Sequence, residues 1–135
     1  MIDHISIGVA EFARSTAFYD AALAPLGVTR MVDVPLEHSG GVLVCGYGDS
    51  PDRAWFWLAE ERATSGLLHI AFEAATRAQV DAFHAAALKA GGTDNGAPGL
   101  RPQYSADYYG AFVHDPDGHN VEAVCRVGGH KERTV

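Results

Sequence analysis

The chain repeats itself at an offset of 65 residues (69 − 4). His4-Ile5-Ser6-Ile7 lies over His69-Ile70-Ala71-Phe72. Without a gap, Phe18 lies over Phe83, Leu23 over Leu88, Gly27 over Gly92 and Pro51-Asp52 over Pro116-Asp117. Agreement is good in the first half of each copy and thin in the middle. One such unit cannot bury its own apolar face, so two diverged copies are expected to pack together as one domain.

Each copy opens with a strand. From Asp3 to Val9, Ile5, Ile7 and Val9 share one face, and His4, Ser6 and Gly8 share the other. From Leu67 to Glu73, Leu68, Ile70 and Phe72 alternate in the same way with Leu67, His69, Ala71 and Glu73. A helix follows each strand. Thr76 with Gln79 forms a capping-box pattern, Val80, Phe83 and Ala87 mark a helical stripe, and Gly91-Gly92 ends it. The first helix is expected around Arg14–Ala24, halted by Pro25 and Gly27.

Short extended segments come next: Thr29–Val34, Gly41–Gly48 and Ala54–Glu60 in the first copy, Tyr108–His114 and Asn120–Arg126 in the second. Asp115-Pro116-Asp117-Gly118 is a turn signal, and the glycine- and proline-rich stretch Gly91–Gln103 reads as a loop. The predicted architecture is α+β, a βαβββ module used twice. Module boundaries fall near 1–62 and 66–127, with a polar tail over 128–135.

Strand alternation places three polar residues on comparable faces. Val121, Ala123 and Cys125 form the apolar side of the last strand, which leaves Glu122 on the other side, as His4 and His69 are on theirs. If helices cover the apolar faces, these three can converge on a concave sheet. Two imidazoles and a carboxylate form a binding set for one divalent metal ion (Zn, Mn, Ni, Co or Fe), with positions left for substrate. The offset carries Glu122 onto Trp57, which cannot ligate a metal and instead walls that direction. Tyr108 and Phe112 share the face paired with Glu122: Phe112 is a candidate wall for substrate, and Tyr108 a candidate proton donor. Arg101, on the segment before that strand, can reach a carboxylate or phosphate on a ligand, and Tyr104 has similar standing.

Ten Lys and Arg against 17 Asp and Glu give a net charge of −7 without a basic cluster, which disfavours nucleic acid and anionic membranes as partners. No apolar run is long enough to span a membrane, and the N-terminus lacks the pattern of a secretion signal. Cys45 and Cys125 lie in separate apolar segments and read as buried thiols, so a cytoplasmic location is expected. His114-Asp115-Pro116-Asp117-Gly118-His119 is set aside as a metal motif, because a tight turn explains its composition. His38, His84 and His130 have no convergent partners in sequence.

Ile2-Asp3-His4-Ile5-Ser6-Ile7-Gly8-Val9, followed by Ser15, Phe18-Tyr19 and Leu26-Gly27, resembles the vicinal oxygen chelate superfamily. That group includes glyoxalase I, bleomycin-resistance proteins, fosfomycin-resistance enzymes and extradiol dioxygenases. Phe112-Val113-His114-Asp115-Pro116-Asp117-Gly118-His119-Asn120-Val121-Glu122 is similar to its second signature. The resemblance implies paired βαβββ modules and a homodimer, with His4 from one subunit meeting His69 and Glu122 of the other. Trp57 stands where glyoxalase I enzymes usually carry a fourth ligand, a departure from that activity.

The expected function is a divalent-metal-dependent enzyme of lyase, isomerase or thiol-transferase type, acting on a small oxygenated metabolite or xenobiotic. Two alternatives keep the same cavity: an iron(II) ring-cleaving dioxygenase, and a non-catalytic resistance protein that binds a drug or metabolite among Trp55, Trp57, Tyr108 and Phe112.

Overall fold

Each half of the chain builds a four-stranded sheet with one helix against one face. The computed structural model describes residues 1–50 and 52–127. The first half contains β1 (Ile5–Val9), α1 (Phe12–Leu23), β2 (Thr29–Val34), β3 (Val44–Gly48) and β4 (Phe56–Glu60). The second contains β5 (His69–Glu73), α2 (Arg77–Lys89), β6 (Thr93–Leu100), β7 (Tyr109–His114) and β8 (Asn120–Cys125). The sheets have the same strand order, β1-β4-β3-β2 and β5-β8-β7-β6, with the first pair parallel and the others antiparallel. Register preserves the sequence offset: Ser6 pairs with Trp57, and Ala71 with Glu122. Pro51, the tail over 128–135 and His130 within it lie outside the described residues.

Local chemistry explains the helix ends. The Thr76 side chain accepts from Gln79 N while the Gln79 side chain accepts from Thr76 N, a complete capping box. Helix α1 starts two residues before the expected Arg14. It tightens into a single 3-10 turn over Ala24–Leu26, and Gly27 (φ 75°) closes it in the left-handed region that glycine adopts without strain.

Residues 93–100, expected to form part of a loop, are instead the edge strand β6, paired with β7. Its register slips between Asp94 and Gly96 and again between Gly96 and Gly99. These irregularities accommodate the turn-like composition, and an edge position tolerates Pro98, which has no N–H to donate. Interrupted pairing of this kind leaves no clean alternation to read in the sequence.

Both helices pack on the apolar strand faces and against each other, so the halves share one core. Phe56 meets Tyr19 and Phe72 at ring-centroid distances of 5.1 and 5.2 Å, the latter across the two halves. Val80, Phe83 and Ala87, the stripe read on α2, are fully buried. Cys45 and Cys125 are buried free thiols. No described helix is long and apolar enough to cross a membrane.

A hydrogen-bonded clasp at the β7–β8 turn also joins the halves. Asp115 accepts from Tyr19 Oη at 2.6 Å, from His119 Nδ1 at 2.8 Å, and from the backbone N–H groups of Asp117 and His119. Asp117 accepts from Ala10 N, Arg14 and Ser15 on α1 and its approach, while His119 Nε2 faces the Thr64 carbonyl at 2.7 Å. Asp115, Asp117 and His119 thus hold ligand-type atoms within 4.8 Å of one another. Each of those side chains is already committed to protein partners, so the cluster works as a tie between the two modules.

Candidate functional site

With the helices on one side of each sheet, the opposite faces are left for chemistry. On the second sheet, His69 and Ala71 of β5, Glu122 and Val124 of β8, and Gly110 and Phe112 of β7 share that face by register. Tyr108 lies just before β7 on the same side. His69 Nε2 meets Glu122 Oε1 at 2.9 Å, and Tyr108 donates its hydroxyl to Glu122 Oε2. Gly110 leaves the room this requires, since a Cβ there would stand 3.0 Å from Glu122 Oε2 and 3.1 Å from the Tyr108 ring.

Glu122 is only 1% exposed, whereas the His69 side chain is 39% exposed. The carboxylate therefore forms the floor of the site and the imidazole one of its walls. The His69 ring stacks on Phe112 with a centroid separation of 6.0 Å and an interplanar angle of 21°. Burial, followed by the hydrogen bond to Glu122, pushes the Tyr108 hydroxyl up to about 12. At neutral pH this phenol is a proton donor rather than a base.

Two guanidinium groups stand over the aromatic walls. Arg101 lies 5.4 Å from the Phe112 ring centroid, held by a 2.7 Å bond from Nη2 to the Ala97 carbonyl. Arg126 lies 4.8 Å from the Tyr108 centroid, and Tyr104 packs edge-on against Tyr108 at 5.1 Å. Neither arginine pairs with a carboxylate among the described residues. Arg126 was missed by sequence reasoning, although the signal existed: it follows Glu122 and Val124 at the period-2 spacing of their strand face.

His4 is on the other sheet. Its Nδ1 lies 2.8 Å from Asp3 Oδ1, Asp3 in turn pairs with Arg53, and its side chain is largely exposed. With Ser6, Ala54 and Trp57, His4 lines a shallow hollow of about 240 Å³. The Trp57 indole lies over Gly46, where a Cβ would approach Trp57 Cζ3 to 2.8 Å. Position 57 thus presents an aromatic wall where the repeat places Glu122 in the other module. Within one chain the structure brings together His69, Glu122, Tyr108, Phe112, Arg101 and Tyr104. His4 and Trp57 form a separate group, and His4 does not join His69 and Glu122 within ligand distance.

The His69–Glu122 pair suits a metal by donor type. Its 2.9 Å separation is what two ligands at about 2.0–2.1 Å span when they meet an ion at roughly a right angle. Among the described residues, no third His, Cys, Asp or Glu side chain stands within ligand distance of this pair.

The sequence profile of the Glyoxalase/Bleomycin resistance protein/Dioxygenase superfamily matches residues 1–123. Among solved structures, the chain is similar to a glyoxalase/bleomycin resistance protein from Albidiferax ferrireducens T118. The two are 34% identical, the match covers 94% of this chain and 99% of that one, and the TM-score is 0.74. Glyoxalase I from Zea mays is 19% identical over 92% of this chain and 45% of its own, with a TM-score of 0.68. A genomically encoded fosfomycin resistance protein from Listeria monocytogenes is 16% identical over 93% and 92%, with a TM-score of 0.66. Among curated proteins, no sequence matches the chain.

Proposed function

The chain belongs to the glyoxalase/bleomycin resistance protein/dioxygenase superfamily, and from that premise we propose that it is a divalent-metal-dependent enzyme of lyase, isomerase or thiol-transferase type. Its substrate is a small oxygenated metabolite or xenobiotic. The working form is a homodimer in which His4 of the partner subunit joins His69 and Glu122. Two unpaired buried cysteines fit a reducing compartment such as the cytoplasm.

The observation that carries this reading is the buried carboxylate of Glu122, shared between an exposed imidazole and a protonated phenol. Bound by His69 and Glu122, a divalent cation would polarise substrate oxygens and stabilise negative charge developing on them. The residues of the chain do the rest. Glu122 is fixed on β8 and oriented by Tyr108, so its free lone pairs are aimed rather than solvated. Tyr108 holds a proton at its hydroxyl beside the site, ready to donate to an oxygen that gains charge. Phe112 and Trp57 exclude water from apolar parts of a substrate, and Arg101, reinforced by Arg126, draws a carboxylate or phosphoryl group to the mouth. Without a carboxylate at position 57 there is no base opposite Glu122, which favours a reaction needing an acid and an electrophilic centre over proton shuttling between two carboxylates.

Elemental analysis of protein purified without chelator or affinity metal tests the proposal. About one ion per chain is expected in the wild type, with loss in both Glu122→Ala and His69→Ala. Mixing His4→Ala protomers with Glu122→Ala protomers should restore one intact site per dimer. Failure of any ion to bind, even after reloading, removes the enzyme and leaves a drug- or metabolite-binding protein. Iron with oxygen uptake on catechols would instead establish the dioxygenase.

A further inference from the structure

The open faces of the two sheets differ in chemistry. On the first sheet, register puts Ser6 beside Trp57, Trp57 beside Gly46, Gly46 beside Val32, and Val44 beside Val34. Strands β1 to β4 place no Asp, Glu, Lys or Arg on that face. Arg30 and Asp33 pair with Tyr47 and Cys45, which are buried on the helix side, and Glu60 turns to accept from Phe12 N. The Trp57 indole lies over Gly46, and Val32 beyond it is 39% exposed, so an apolar strip runs from β4 across β3 to β2. Two strand spacings make that strip about 10 Å long.

The second sheet surrounds His69 and Glu122 with two guanidinium groups, and the Arg101 group has a seat made for it. A Cβ at Gly96 would stand 3.2 Å from Arg101 Nη2, and one at Gly99 would stand 3.2 Å from Nη1. The register slips of β6 fall at these same two glycines. Arg101 donates to the Ala97 carbonyl at 2.7 Å and only distantly, at 3.5 Å, to that of Leu100, so several of its five N–H groups are left for a ligand. The irregular edge strand thus lets a guanidinium lie across it above Phe112.

We propose that the substrate is an amphipathic organic acid, a class that rests on the metal-dependent dimer proposed above. In that dimer the first-sheet face of one protomer closes over the second-sheet face of the other, which gives each cavity an apolar wall and a cationic rim. A carboxylate or phosphonate head sits at Arg101 and Arg126, where a guanidinium fork matches its oxygens. An alkyl or aryl body lies along the strip of Trp57, Val32 and Val34 and leaves water there. A substrate hydroxylated along its whole length would lose water against these side chains and find no partner in return. An organic cation would meet the two arginines.

Calorimetric titration of the full chain as purified with butanoate, hexanoate, octanoate and neutral 1-hexanol tests the assignment. Affinity should rise about fourfold with each added methylene, and hexanoate should bind about tenfold more tightly than 1-hexanol. Arg101→Gln should abolish the preference for acid over alcohol and keep the dependence on chain length. Val32→Asp should do the reverse, and because Val32 is exposed on an edge strand this variant keeps the fold. Octanoate should change tryptophan emission in the wild type and in Trp55→Phe, but not in Trp57→Phe. Equal affinity for butanoate and octanoate, or for hexanoate and 1-hexanol, in a dimer that holds its metal overturns the inference and leaves the proposed function standing. A monomer without metal, by sedimentation and elemental analysis of the same sample, removes the proposed function, and the shared cavity with it.

Discussion

Asp115→Ala should destabilise the protein by about 4 kcal/mol, although the residue touches neither the proposed metal ligands nor any ligand cavity. The value follows from the donors left behind. Asp115 accepts four hydrogen bonds, two from backbone groups of its own turn and two from side chains. Asp117 N is only part-buried, so water replaces its lost acceptor at little cost, whereas His119 N is buried and makes the figure a lower bound. Tyr19 Oη and His119 Nδ1 have no such recourse, because Tyr19 is 0% and His119 5% exposed. A stranded buried donor costs about 1–3 kcal/mol, so two of them give the figure stated. For a domain of this size the melting temperature should fall by roughly 15 °C.

Urea unfolding of four proteins checks the argument: wild type, Asp115→Ala, Tyr19→Phe and the double variant. Tyr19→Phe alone removes a donor and leaves Asp115 with three partners, a loss of about 1 kcal/mol. In that background Asp115→Ala strands one side-chain donor instead of two, so its cost should drop by about 2 kcal/mol. A coupling indistinguishable from zero, or a loss under about 1 kcal/mol for Asp115→Ala, would refute the claim that this clasp holds the halves together.

Three further outcomes are expected. The Tyr108 hydroxyl, ordinarily near 10.0, is raised to about 12 in the folded protein by burial and by Glu122, so its contribution to stability is complete below pH 10. That contribution should disappear as pH rises from 10 towards 12, and comparison of unfolding curves for wild type and Tyr108→Phe across this range should show the gap close. Gly8→Ala places a methyl group into the carbonyl of Arg62 on the segment that crosses β1, and should destabilise by about 2 kcal/mol in thermal unfolding. Thr76→Ala removes the acceptor for Gln79 N and should cost about 1 kcal/mol, with rescue by Thr76→Ser.

How much of this was legible beforehand depends on the range of the interaction. The repeat, the alternating faces of β1, β5 and β8, the capping box of α2 and its buried stripe are written within a few residues of themselves. Parity then followed for the site: Glu122 and Phe112 belong to adjacent strands whose faces are determined by period 2, Tyr108 keeps that parity just before β7, and the repeat brought His69 onto the same sheet. Arg126 obeys the same parity, two steps beyond Glu122. The edge strand β6 escaped detection because its pairing is broken at Gly96 and Gly99, so no alternation survives for local reading.

Other features existed only after folding. Tyr19 and Asp115 are 96 residues apart in sequence and 2.6 Å apart in space, and nothing near either one announces the other. The turn composition at Asp115–His119 was explained locally, yet its side chains tie two modules. The burial of Glu122 beneath Tyr108 and the separation of His4 from His69 within one chain also depend on how whole sheets and helices pack. Sequence alone determined the periodic elements and the side of each strand on which a residue stands, because local backbone geometry sets both. Tertiary structure decided which of those sides meet, because that depends on contacts between residues far apart along the chain.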